Sequence, residues 1–168
     1  MATIDWLERN AAGWQALSSQ ERDAITQFSL LWMMFESGVL ETQASATAII
    51  KASKQWAANG QLTADMFRQE LVYFRERYVE KGSFTHRFDH LHLRKNDAPG
   101  LVKKVLKTDE VPPDEIAAVV LIIAYRFRNN LFHGVKWLYA LKEQLDNFIH
   151  ANAILMKAIE LHQVDNNH

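Results

Sequence analysis

Cysteine is absent from all 168 residues, which excludes disulfides and thiolate metal sites and fits a reducing compartment. Long hydrophobic runs are absent too. The longest uncharged apolar stretch, residues 116–125, is about half of what a membrane span needs. The opening residues Met1-Ala2-Thr3-Ile4-Asp5-Trp6-Leu7-Glu8 bring acidic groups early and no basic lead, so no secretion signal is expected. Neither sign of charge dominates: 19 Lys and Arg face 20 Asp and Glu, for a net charge of -1, which argues against a general nucleic-acid coat protein. There is no glycine-rich phosphate loop, nucleophilic serine elbow or paired-carboxylate spacing, so kinase, hydrolase and glycosidase readings have no support. Strand alternation, internal repeats, low-complexity tracts and long linkers are also missing. A soluble, cytoplasmic protein without membrane contact is expected.

What is present is apolar residues in helical spacing. At 48% hydrophobic content, one domain over 1–168 is expected to bury roughly 70% of its unfolded surface. Ser18-Ser19-Gln20-Glu21 has capping-box spacing, and Ile25, Phe28, Trp32 and Phe35 continue it as one stripe. A second helix is expected over 42–59, with Ile49, Ile50 and Trp56 inward and Gly60 as its stop. Thr63 can cap a third, striped by Phe67, Leu71, Phe74 and Tyr78 and ended by Gly82. Residues 83–96 read as a short helix plus loop, and Pro99 opens a short basic helix to about 107. Pro112-Pro113 marks the clearest break. Asp114 and Glu115 then favour the start of the most apolar helix, 116–132, closed or kinked at Gly134. A last helix over 137–162 is expected to bury Leu141, Leu145, Phe148, Leu155 and Ile159. The predicted fold is an all-α, compact multi-helix bundle: about five main helices, with short helices around 84–107.

Charge is unevenly distributed. Residues 1–50 carry two basic and six acidic groups, whereas 68–107 carry ten basic and five acidic. From 126 to 142 there are four basic groups, Arg128 and Lys136 among them, and no acidic one. A positive surface there could attract phosphate; ordinary solvated helix faces explain the same scatter. In its midst lies Arg128-Asn129-Asn130-Leu131-Phe132-His133, polar groups crowded onto the end of the apolar helix, where each must find a partner or stay wet. Histidine exchanges protons near neutrality, and arginine keeps its charge and fits a phosphate with a planar fork of donors. Together they suit a phosphodiester: one moves the proton, the other holds charge on phosphorus.

The segment resembles the motif of the HEPN (higher eukaryote and prokaryote nucleotide-binding) superfamily, an arginine followed after four to six residues by a histidine at the end of a long helix. The resemblance implies a helical bundle that dimerises so that two motifs face one cleft. In active members it implies RNA cleavage needing no metal or other cofactor, often within toxin–antitoxin or phage-defence systems with an antitoxin or defence partner. By position, Arg128 is then the motif arginine, Asn129 the polar residue that follows it, and His133 the motif histidine. His133 would take the proton from a ribose 2′-hydroxyl and Arg128 would stabilise the phosphorane, leaving a 2′,3′-cyclic phosphate and a 5′-hydroxyl. One subgroup has a tyrosine two residues beyond the histidine, nucleotidylated by an antitoxin. Val135 stands there in this chain, and that route of neutralisation is not expected.

Geometry leaves an alternative open. On a continuous helix Asn129 and Arg126 share a face with His133, while Arg128 lies about 140° round from it. Arg128 is taken as the phosphate-stabilising group, with Arg126, Asn130 and Lys136 as further substrate or supporting contacts. Without the family resemblance, the cluster also reads as a helix C-terminus whose Arg and His bond the last carbonyls. Glu36, at the end of an early apolar stripe, can pair with a motif arginine across the bundle and fix its direction, or remain solvated. Asn147 and His150 line the same cleft or form a satisfied polar edge. His86 and His90, four apart, and His92 nearby could share a divalent ion, but surface or packing roles are commoner and no metal site is expected. A catalytically silent member, binding RNA or a nucleotide or serving as an assembly subunit, is the second reading of the whole.

Overall fold

Helix α2 (Ser19–Gly38) begins where its first free amides are satisfied. Ser18 Oγ accepts from the Glu21 amide at 3.1 Å, and Glu21 Oε2 accepts from the Ser18 amide at 2.8 Å, the reciprocal pairing of a capping box. The computed structural model describes residues 2–11, 13–133 and 144–165, with backbone alone at His133 and Asp165. Before α2 stand α1 (Thr3–Asn10), which buries no residue, and a 3-10 turn (Trp14–Ala16).

Helix α3 (Ala46–Ala58) starts four residues later than the apolar pattern suggests. Glu41 and Thr42 have φ of 50° and 65°, a left-handed backbone that cannot continue a right-handed helix. Ser45 instead caps the helix, accepting from the Ala48 amide at 3.1 Å. Helix α4 (Arg68–Tyr78) is preceded by a turn at 64–67, so Phe67 rather than Thr63 occupies its cap position, with no side-chain bond. A feature with no strand alternation to announce it follows: β1 (Val79–Glu80) pairs antiparallel with β2 (Ser83–Phe84), Val79 opposite Phe84. Lys81 and Gly82 between them both have positive φ, the requirement of the tight turn whose twist matches paired strands.

Helix α5 (His86–Asp89) and a 3-10 turn (Lys95–Asp97) lead to α6 (Pro99–Lys107), opened by its proline as expected. Helix α7 (Pro113–His133) carries Asp114 and Glu115 in its first turn. The last helix, α8, runs Leu145–Asp165. Gly134, Leu141 and the expected helix start at 137 lie outside the described residues, and the described helix passes beyond His162.

The fold is all-α apart from the hairpin, and α7 is its axis. From Ile116 to Ala124 no residue is more than 6% exposed, so that stretch is covered on every side, as a helix apolar all round must be. Helices α3, α4, α6 and α8 pack on it, and α2 lies along α8. Phe127 of α7 meets Phe74 of α4 and Phe148 of α8, and Phe148 meets Phe28 of α2 edge-on at 5.2 Å. Trp32 of α2 stacks on Tyr125 at 5.9 Å. These contacts fix the last two turns of α7 against α2, α4 and α8. No helix of the described residues is long and apolar enough to cross a membrane.

Candidate functional site

The polar end of α7 sorts its residues onto two sides. On one, Arg126 is 2% exposed and fully engaged. Its Nε donates to the Leu91 carbonyl at 3.0 Å, one Nη lies 3.1 Å from Asp97 Oδ2, and the other donates to Asn130 Oδ1 at 3.5 Å. Asp97 also accepts from the Arg94 amide at 2.7 Å, and Asn130 Nδ2 donates to the His90 carbonyl at 3.1 Å. Burial pulls the Arg126 guanidinium below its ordinary value while Asp97 pushes it back up; an arginine stays charged through such a shift. Arg126 and Asn130 thus strap residues 90–97 to α7. His92 and Ala98, near the two ends of the strap, have φ of 49° and 50°, a conformation that costs non-glycine residues energy and persists where surrounding contacts over-determine it.

Arg128 lies on the other side, toward α2. One Nη donates to Asn129 Oδ1 at 3.1 Å, and the other stands 3.8 Å from Glu36 Oε2. The guanidinium lies over the Phe132 ring at 5.6 Å, and Nε is shut off from solvent with no partner among the described residues. Glu36 is positioned by Trp32, whose indole N–H donates to Oε2 at 2.5 Å. Both Arg128 and Glu36 keep about a quarter of their side chains exposed, at 27% and 25%. Arg128 is therefore a charged fork, loosely paired and in part reached by solvent, whereas Arg126 is fully engaged and withdrawn from it. A fork in that state can accept an anion.

His133 is the last described residue of α7, one helical turn beyond Asn129; its side chain and all of Lys136 lie outside the described residues. The helix is continuous through the motif.

Asn147 and His150 have their partners on α4, not at Arg128. Asn147 accepts from the Tyr73 hydroxyl at 2.8 Å, and the His150 ring stacks on Tyr73 at 3.9 Å. Burial lowers the His150 imidazole, with Glu70 and Asp146 opposing that and Lys157 adding to it. The His86 and His90 rings meet edge to face at 5.8 Å. Among the described residues no three His, Asp or Glu side chains converge as a metal site would require. Sequence reasoning did not single out Asp97, Glu70, Tyr73 or Lys157. The Arg94 to Asp97 cap spacing and the recurrence of Glu70, Tyr73 and Arg77 beside the α4 stripe were the available signals.

No protein-family model, no curated protein and no solved structure matches this chain. Function has to come from the side chains themselves.

The two arginines should separate in stability. Arg126→Ala leaves Asp97 buried without its counter-charge and should cost about 3–5 kcal/mol, whereas Arg128→Ala should cost less than about 1 kcal/mol, both read from urea unfolding. Equal costs would refute the division of roles. His150 supplies a pH test. The folded chain holds it below the ordinary histidine value of 6.5, so its contribution is present above that value and is lost as pH falls through the lowered one. Between about pH 7.5 and pH 5.5 wild type should lose more stability than His150→Phe, which keeps a ring against Tyr73 but cannot titrate.

Proposed function

We propose that this chain cleaves RNA without a metal in the manner of HEPN ribonucleases, with Arg128 and His133 as the working pair. The observation that carries the reading is the state of Arg128: a solvent-reaching guanidinium whose Nε has no partner among the described residues, on a continuous helix that sets His133 about 140° round from it, so that a facing subunit completes the pair. In the proposed reaction His133 removes the proton of a ribose 2′-hydroxyl, and that oxygen bonds to the adjacent phosphorus. The phosphorus-to-5′-oxygen bond breaks, and the departing oxygen takes a proton. Arg128 balances the charge of the phosphorane. Asn129, bonded to Arg128, holds the fork in place, and Glu36 sets its direction from α2. Arg126 and Asn130 act on the substrate only indirectly, by fixing the strap behind the helix.

A homodimer belongs to the same reading, and exposed apolar side chains support it. Leu30, Met33 and Met34 lie at three- and four-residue spacing on α2, the helix that carries Glu36, and Phe132 is exposed beside Arg128. Cytoplasmic action as a toxin or phage-defence effector, restrained by an antitoxin or defence partner, is the setting this chemistry implies.

A second reading, RNA binding without cleavage, has one observation in its favour: the Glu36 carboxylate already sits beside Arg128 and competes with a phosphate for it.

Purified protein incubated with total RNA in excess chelator should release fragments ending in 2′,3′-cyclic phosphate and 5′-hydroxyl, and should leave DNA intact. Arg128→Ala and His133→Ala should each lower the rate by about 10² or more. Intact RNA in every sample, with wild type and His133→Ala equally tolerated by growing cells, would leave only the silent reading. Light scattering should give the mass of two chains, and Met33→Glu should shift it to one; a single-chain mass for wild type would rule out the dimer.

A further inference from the structure

Helices α4 and α8 meet along a polar seam that the proposed cleavage does not use. On α4, Glu70, Tyr73 and Arg77 recur at three and four residues and so share a face. On α8, Asn147, His150 and Lys157 recur at three and seven. One end of the seam is closed on itself, because buried Glu70 holds Lys157 at 2.6 Å. Among the described residues, the other end is not closed in this way. The Tyr73 and His150 rings stack at 3.9 Å with only 16° between their planes, the Tyr73 hydroxyl is directed by Asn147, and both rings are only half-buried.

The charge around this ring pair is net positive. Burial raises the Tyr73 phenol, with Arg77 and Arg87 lowering it and Asp146 raising it, and His150 beside it feels Glu70 and Asp146 against Lys157, so among the described residues three cations (Arg77, Arg87, Lys157) face two carboxylates (Glu70, Asp146). Arg77 is half-buried, and its Nε is shut off from solvent with no partner among the described residues. A near-parallel ring pair under guanidinium charge can stack a flat base on an outer face and attract a phosphate, the combination that single-stranded nucleic acid sites use. This end of the seam also lies level with the motif: Phe127, next to Arg128, packs on Phe74 and Phe148, the neighbours of Tyr73 and Asn147.

We propose that the Tyr73 end of the α4–α8 seam binds one nucleotide unit of single-stranded RNA, its base stacked on the Tyr73 and His150 pair and its phosphate held by Arg77 and Arg87. The site rests on the reading of the chain as a protein that engages RNA, and it adds a contact remote from the cleaved bond. The bulk of its binding comes from the ring surface and so tolerates any base.

The test uses the full chain and a fluorescein-labelled single-stranded RNA with 2′-O-methyl riboses, which cannot be cleaved, read by anisotropy across a salt series. Tyr73→Ala should weaken binding roughly 5- to 150-fold, the range for loss of one aromatic partner of a base, while Tyr73→Phe should bind nearly as wild type. Arg77→Ala should lower the slope of log affinity against log salt by about 0.7. Wild-type affinity in Tyr73→Ala would overturn the site and leave the cleavage reading intact, since cleavage of total RNA is measured separately. Absence of binding by wild type would overturn the site, and absence of cleavage as well would remove the reading beneath it. Should Tyr73→Ala fail to fold, a 4-thiouridine RNA photo-crosslinked to wild type decides: adducts at Tyr73 or His150 support the site, and adducts only elsewhere overturn it.

Discussion

A helix covered on all sides has nowhere to put charge, and that constraint on α7 organises the molecule. Its middle is apolar without interruption, and five other helices enclose it. Polar residues appear only toward its two ends, and at the C-terminal one each has to be answered by a partner or left at an edge that water reaches. The chain does both within three residues. Arg126 faces inward and is matched by a carboxylate and a carbonyl, whereas Arg128 faces α2 and is matched only in part.

That difference is electrostatic as well as geometric. The Arg126 and Asp97 charges are both withdrawn from water, so each is indispensable to the other and neither is available to a ligand. The pair around Arg128 is looser, and water screens it. The buried and the solvent-reaching guanidinium therefore occupy opposite faces of one helix. The strap at 90–97, with left-handed backbone at His92 and again at the adjoining Ala98, is held by the first face and leaves the second unburdened.

Features that depend on near neighbours were legible in the sequence. The Ser18 and Glu21 cap, the proline that opens α6 and the uninterrupted apolar run of α7 each follow from a few adjacent residues, and together they specify an all-α bundle. The late start of α3 was not legible, because it depends on left-handed backbone at Glu41 and Thr42, residues with no special tendency toward it. The hairpin escaped because strands of two residues are too short to show alternation. At the candidate site, residue types and spacing were visible while partners were not. Helical periodicity ranks Arg126 with His133, but Asp97, far away along the chain, claims Arg126 for the core. The nearness of Glu36 to Arg128 depends on Trp32 lying against Tyr125, a contact between helices that no local pattern encodes. The polar seam between α4 and α8 was missed for the same reason: Tyr73 and His150 acquire meaning only once they are stacked.

The hydrogen bond from the Trp32 indole to the Glu36 carboxylate places a natural fluorophore one bond away from the group that balances Arg128. An anion drawing the guanidinium aside changes the field across that indole, and with it the colour of the light it emits. Trp32, one of five tryptophans, is thus the indole whose emission would report an occupant beside Arg128, with no label attached.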